Sequence, residues 1–311
     1  MTSALDIRDD VAFVTGAASG IGRAIATELA GRADISVRLI LTDIDESALR
    51  SLVSDLNSKF GDHIAIGSKV DTSSWEEQLA AYELGKQAFG RVDYFFANAG
   101  IVEHMWLPAF NNSASTSSGP IIRPNLRTLE VDLVGQLYTA ALALQVFQRQ
   151  TPNRHGFRGK LIITASVYGF YASDTMPLYS ASKAGILHFA RSASTYYGDK
   201  DITINCSTFD FTLRKDQLVI FVPVCPNATE TKIAPEDFFV PFKTQNLLTP
   251  IELIIEQCIS LLGNNKDNGK AIGIVGQEVW THPDDNYKRR ENEPAFKLID
   301  HSIGQAFGYW K

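Results

Sequence analysis

The chain has 311 residues, 45% of them apolar, with a formal charge of −6 and a pI near 5.6. That is enough apolar side chain for a sizeable core, in a length that suits one α/β domain with insertions. The acidic balance argues against nucleic acid or an anionic membrane as the main partner.

Cys206, Cys225 and Cys258 are widely spaced and the six His show no ligand spacing, so reduced thiols and no metal site are expected. His188 reads as a packed or solvated helix residue. The N-terminus lacks a basic and apolar signal, and no run approaches membrane-spanning length, which predicts a soluble, cytoplasmic protein.

Asp10–Thr15 reads as a short apolar strand running into Gly16-Ala-Ala-Ser-Gly20-Ile-Gly22. From Arg23 to about Gly31 the pattern is helical, with Ala24, Ile25 and Leu29 on one face. A strand, a glycine turn and a helix start form an anion site, because bare N–H groups and the positive helix end face a pyrophosphate. Gly16, Ser19, Gly20, Ile21 and Gly22 are therefore candidate cofactor contacts. A merely tight connection is the alternative, and the strand–helix context disfavours it.

Val37–Thr42 is the predicted second strand, ended by Asp43. An acidic residue about 20 positions past the turn accepts hydrogen bonds from the adenosine ribose. Its charge repels a 2′-phosphate, so NAD is expected rather than NADP; an ordinary strand-end Asp is the alternative. A helix over Glu46–Phe60 and a strand over His63–Val70 follow. Asp71-Thr72 is then a second polar strand end able to meet the adenine. Val92–Ala97 is the fourth strand, closed by Asn98-Ala99-Gly100.

Lys160–Ala165 reads as a buried strand that delivers the Ser166 hydroxyl to its carboxyl end. Pro177 suits a first helical turn, and a helix is predicted from Leu178 to about Tyr197. Tyr179 and Lys183 lie four apart and share a face. A nearby ammonium favours the phenolate, so the pair can donate and accept a proton near neutrality. Ser, Tyr and Lys are the parts needed to polarise a carbonyl and protonate an alkoxide. Tyr-x-x-x-Lys alone is weak, and Tyr196 with Lys200 repeats it beside Gly198–Asp201. No strand ending in Ser precedes that copy, so it reads as a decoy.

With these motifs in register, the chain resembles the short-chain dehydrogenase/reductase family over roughly residues 8 to 280. Within it the chain is similar to 15-hydroxyprostaglandin dehydrogenase-like members. The resemblance implies a single α/β domain, a doubly wound parallel sheet flanked by helices. It implies Tyr179 as acid/base, Ser166 as substrate-orienting donor, and Lys183 as binder of the nicotinamide ribose and tuner of Tyr179. Asn98, Ala99 and Gly100 join the cofactor-binding set, and a homodimer or homotetramer is expected.

Three departures stand out. Asp132 occupies the mid-helix place of the family's Asn, which supports a proton-relay water. Residues 110–120 form a polar insert that reads as a surface loop. Ser207–Val224 is about 17 residues longer than usual, a length uncommon for a plain connection. It is either a lid strand, around Leu218–Val222, or sequence foreign to the enzyme. Beyond it Cys225-Pro226-Asn227 matches the family's Pro-Gly turn, with Thr231 where the nicotinamide carboxamide is contacted. Asn227-Ala-Thr229 matches a glycosylation acceptor, discounted in a cytoplasmic enzyme.

Pro235–Pro250 is the predicted mobile cover, with Phe238, Phe239 and Phe242 as apolar contacts. A helix over Ile251–Leu262, a last strand over Ala271–Val275 and a charged, then amphipathic extension from residue 281 to 311 complete the chain. The expectation is an NAD(H)-dependent oxidoreductase interconverting a secondary alcohol and a ketone. Trp106, Tyr168, Phe170, Tyr171 and Met176 point to a fairly large apolar or aromatic small-molecule substrate. Two rivals remain: the scaffold reused for non-redox chemistry, a cyclase or dehydratase, and a non-catalytic nucleotide-binding interaction protein.

Overall fold

The computed structural model describes residues 6–31, 35–107, 120–207, 239–244, 248–275 and 278–282. The polar insert beyond residue 107, the long insert after Ser207, Thr231 and Phe238 lie outside these residues, as do 283–311. The chain divides into two units, Met1–Thr281 and His282–Lys311, and the elements that build the site belong to the first.

Continuous apolar runs explain the sheet. Strands β1 (Val11–Thr15), β2 (Arg38–Asp43), β4 (Tyr94–Ala97) and β5 (Gly159–Thr164) are buried along nearly their whole length. Successive side chains point to opposite faces. Ala12, Val14, Leu39, Leu41, Tyr94, Phe96 and Ile162 fill one core, with Ile25, Leu29, Leu49, Leu52 and Ile254. Val11, Phe13, Ile40, Phe95, Leu161 and Ile163 fill the other, with Ala81, Ala140, Phe147, Ile186 and Ala190. Two buried faces are what a parallel sheet requires.

Helices α1 (Gly20–Gly31), α2 (Glu46–Phe60) and α8 (Ile251–Ser260) cover the first face. The second is covered by α3 (Trp75–Phe89), α5 (Gln136–Gln148) and α6 (Pro177–Tyr197). The short helices α4 (Arg127–Leu129) and α7 (Val240–Thr244) complete the set. Local chemistry starts two of them: Asp45 accepts from Ala48 N at 3.0 Å, and Ser74 accepts from Glu77 N at 3.2 Å.

The strand order is β3-β2-β1-β4-β5-β6-β7-β8, with β3 at Ala65–Lys69, β6 at Ile202–Ser207, β7 at Ala271–Val275 and β8 at Glu278–His282. The first seven strands pair in parallel. This is the expected doubly wound sheet. Chain order reverses between β1 and β4, and ligands in such sheets bind at the carboxyl ends of the strands beside that switch point.

One core residue breaks the pattern. Lys160 is 2% exposed within β5. Its ammonium donates to Leu261 O at 3.1 Å and to Asn265 O, and lies 3.8 Å from the Phe157 ring centroid. Carbonyls at the end of α8 and an aromatic face stand in for water. Burial nonetheless depresses its pKa to about 7, with Asp267 pulling the other way. Between that value and the ordinary ~10.4 the unfolded chain holds more protons, so this group's contribution to stability rises with pH. Lys160→Met should abolish that slope. In thermal melts, wild-type Tm should gain on the variant between pH 7 and pH 9.5; a difference independent of pH would mean Lys160 is not held this way.

Candidate active site

The glycine turn is shaped by close approach. Gly16 and Gly20 hold φ of +66° and +51°, a left-handed backbone that suits glycine. A Cβ at Gly22 would lie 2.2 Å from Gly16 O and 2.7 Å from Asn98 Nδ2. Helix α1 therefore starts hard against the turn. It has no acidic residue in its first turn, leaving its N-terminal N–H groups and positive end for an anion.

Asn98 fixes the rim. Its Nδ2 donates to Thr15 O at 3.0 Å, its Oδ1 accepts from Thr164 Oγ1 at 3.2 Å, and its N donates to Thr15 Oγ1 at 3.0 Å. Its side chain lines the cleft while committed to the ends of β1 and β5. Ala99 N adds a bond to Thr15 Oγ1 at 3.1 Å.

Asp43, at the end of β2, accepts from Ala18 N at 2.8 Å and from Asp45 N at 2.9 Å. It thus fastens the turn to the second strand, and each oxygen keeps a further lone pair for a ribose hydroxyl. Asp71 accepts from Ser73 N and Oγ at 2.9 and 2.7 Å and from Arg127 Nη2 at 2.7 Å. Burial alone would push its carboxyl up, but the bonds from Ser73 and Arg127 prevail and hold it below the usual range.

These groups open onto a cleft of about 590 Å³, whose lining includes Gly16, Ser19, Gly20, Ile21, Asp43 and Asp71. Asn98, Ala99, Gly100, Asp132, Tyr179 and Lys183 also line it. Left-handed glycines, a helix N-terminus and a strand-end carboxylate in one cleft fit a dinucleotide. Thr231 lies outside the described residues.

Helix α6 brings Tyr179 and Lys183 into that cleft. Pro177 opens the helix, and Lys183 Nζ lies 5.3 Å from the Tyr179 ring centroid. Both are nearly buried, 2% and 3% exposed. The ammonium reaches Thr164 O at 3.5 Å and Asp132 Oδ2 at 3.1 Å, the latter within ion-pair distance. Asp132 sits on a π-helical segment, Glu130–Gly135, between α4 and α5, and is fully buried. Such segments recur at functional sites. Its Oδ1 accepts from Ile101 N at 2.8 Å. Burial pushes the Asp132 carboxyl upward, opposed by the Lys183 charge and the Ile101 N–H.

β5 ends at Thr164, one residue short of the predicted strand, and Ser166, fully buried beyond Ala165, caps a 3₁₀ turn, Val167–Gly169, by accepting from Tyr168 N at 3.3 Å. That bond leaves its O–H proton to donate. The repeat pair stands apart: Lys200 Nζ donates to Tyr196 O at 2.6 Å and pairs with Asp199 at the exposed end of α6. Neither residue lines the cleft.

The predicted substrate wall divides. Tyr168 meets Tyr179 edge-on at 6.2 Å, Tyr171 is 47% exposed and Trp106 is half-buried. Met176 is buried and Phe170 packs on the second core, so these two support the fold rather than line a wall. Of the predicted cover, Phe239 is buried.

Sequence reasoning missed Arg127, His104 and Glu103. Arg127 and His104 line the cleft, and Glu103 accepts from the first-turn amides of α6. No periodicity or motif spacing marks them; long-range folding alone brings them there. Among the described residues no helix is long and apolar enough to cross a membrane, and no three His, Cys, Asp or Glu are grouped to hold a metal.

The family profile described as short chain dehydrogenase matches residues 10–213. The short-chain dehydrogenase/reductase prx4 of Penicillium rubens is 31% identical over 237 residues, covering 76% of this chain and 60% of that protein. A diacetyl reductase ((S)-acetoin forming) of Staphylococcus epidermidis is 28% identical over 273 residues, covering 87% and 96%. The chain spans about three fifths of the length of the fungal relatives it matches. Among solved structures, the 3-ketoacyl-(acyl-carrier-protein) reductase from Brucella melitensis complexed with NADH overlays with a TM-score of 0.67 at 18% identity, covering 87% of this chain and 98% of that one. Profile, relatives and fold agree: the chain belongs to the short-chain dehydrogenase/reductase family.

Proposed function

We propose that the protein is an NAD(H)-dependent oxidoreductase that interconverts a secondary alcohol and a ketone. The observation that carries this is the buried Tyr179–Lys183 pair opening into the same cleft as the glycine turn. A nicotinamide cofactor, when bound, supplies or accepts the hydride. Gly16, Ser19, Gly20, Ile21 and Gly22 would take its pyrophosphate, and Asp43 and Asp71 its adenosine end. Thr231 belongs to the same proposal at the nicotinamide.

The chain's own work is proton transfer and orientation. Tyr179 gives its phenolic proton to the developing alkoxide, or removes the hydroxyl proton in the reverse direction. The Lys183 ammonium favours the phenolate, and Ser166 donates to the substrate oxygen. Tyr168 meets Tyr179 edge-on at 6.2 Å, and this aromatic contact, with the incompletely buried Trp106 and Tyr171, supports a fairly large apolar or aromatic substrate. The diacetyl reductase relative acts, by its name, on a ketone, in keeping with this chemistry. Assembly as a homodimer or homotetramer belongs to the same proposal and rests on family membership.

Asp43 makes NAD the expected cofactor, since its carboxylate would face a 2′-phosphate; a higher kcat/KM with NADP(H) would overturn that choice. Asp132 favours a second reading. Its carboxylate 3.1 Å from Lys183 offsets part of the ammonium field on Tyr179; an offset large enough to disable the proton relay would leave the scaffold for non-redox chemistry.

Variants at Tyr179 and Asp132 decide, with Tyr196 as control. Tyr179→Phe should bind NADH within a few-fold of wild type yet lose about 10²–10⁴-fold in kcat, the usual share of a general acid–base. Substantial residual turnover would assign the proton transfer elsewhere, and Tyr196→Phe should behave like wild type.

Asp132→Asn removes a negative charge beside Lys183, so the Tyr179 phenolate forms more readily. Alcohol oxidation needs that phenolate, and its acid limb should move toward lower pH. Asp132→Ala should lose about ten- to a hundred-fold in kcat with cofactor affinity kept. An Asn variant whose acid limb stays or rises would contradict the electrostatic argument. Turnover present in the Asn variant and missing in wild type would establish the second reading.

A further inference from the structure

Helix α6 carries Tyr179 in its first turn, yet it has no side-chain cap of its own. Met176, at the cap position, gives no side-chain hydrogen bond, and Pro177 brings no N–H. The next two amides, on Leu178 and Tyr179, are the ones a local Ser or Asp would normally satisfy. Here the acceptor comes from 75 residues away in sequence. Glu103 Oε2 accepts from Tyr179 N at 2.6 Å and Oε1 accepts from Leu178 N at 3.4 Å. An anionic carboxylate at the positive end of a 21-residue helix is favoured by the dipole as well as by the bonds.

Glu103 belongs to the loop that leaves Gly100, and the same loop is fastened on its other side. Ile101 N donates to Asp132 Oδ1 at 2.8 Å, and His104 N donates to Thr128 Oγ1 at 3.1 Å. Residues 101–104 therefore strap the α4–π segment to the amino end of α6. Ile101, Val102 and His104 line the cleft as well.

We propose that Glu103 is a positioning residue: it clamps the first turn of α6 to the cleft-lining loop, so that Tyr179 is set for proton transfer only when that loop is seated. This rests on the assignment of Tyr179 as acid/base. The loop then links whatever occupies the cleft to the placement of the phenol, without Glu103 touching substrate.

The test uses the full chain and two readouts, amide hydrogen exchange across 177–183 and steady-state kinetics, with NADH affinity from fluorescence. Glu103→Ala should speed exchange at Leu178 and Tyr179 by about three- to thirty-fold, the range expected for a lost N-terminal cap. It should lower kcat by about ten-fold and leave NADH affinity within about three-fold. Glu103→Gln keeps an acceptor oxygen and should recover most of both losses. If Glu103→Ala does not fold, Glu103→Asp, one methylene shorter, should show the same faster exchange and lower kcat. Exchange unchanged in the Ala or Asp variant, or a loss seen only as weaker NADH binding, would overturn the proposal. Faster exchange in a protein whose Tyr179→Phe variant keeps full turnover would leave the clamp standing and remove Tyr179 from the chemistry.

Discussion

A buried ammonium must be compensated, and the Lys183 ammonium is the constraint on which the rest of this site turns. At 3% exposure it has little water, and an uncompensated charge there would be strongly unfavourable. Asp132 at 3.1 Å and the Thr164 carbonyl at 3.5 Å supply the compensation. In the proposed reaction the same charge is what would favour the phenolate of the neighbouring Tyr179. Asp132 therefore has two opposed effects: it makes the buried Lys183 tolerable and it weakens the field that Lys183 exerts. An Asn there could accept from Ile101 N or offer its oxygen to the ammonium, but not both, and in either case it would present no charge.

The sheet makes this arrangement possible. Reversal of strand order between β1 and β4 leaves a crevice at their carboxyl ends. Asn98 holds that crevice to shape by bonding the ends of β1 and β5 together. Gln136 continues the lattice, donating to Ala99 O and to Thr164 O at 3.1 Å each. The Thr164 carbonyl thus receives both Gln136 and Lys183. The π-helical segment turns Asp132 inward at the depth where Lys183 arrives from α6. Among the described residues, the Asp71–Arg127 pair and the Lys183–Asp132 pair both line the cleft.

Much of this was legible in the sequence because it is local. Short continuous apolar runs marked the strands, the glycine spacing marked the turn, and a four-residue spacing placed Tyr179 and Lys183 on one face. The decoy pair was legible too, since Lys200 stands among exposed charges. Asp132 was visible as a departure, and its nearness to Lys183 is now a distance. What stayed hidden depends on residues far apart in the chain. Glu103 is an ordinary loop glutamate until folding brings it to α6. Lys160 opens an apolar strand and reads as a strand-end charge, yet the end of α8 encloses it. Met176 and Phe170 carried an aromatic or apolar signal that spacing could not divide between core and substrate wall.

The most direct measurement is isotope transfer. The enzyme, incubated with NADH deuterated at nicotinamide C4 and a panel of apolar and aromatic ketones, should yield an alcohol with one deuterium at the carbinol carbon, read by mass spectrometry. NADH bound in the cleft with no label reaching any product, or an unlabelled cyclised or dehydrated product, would contradict the account of this site as a hydride-transfer centre.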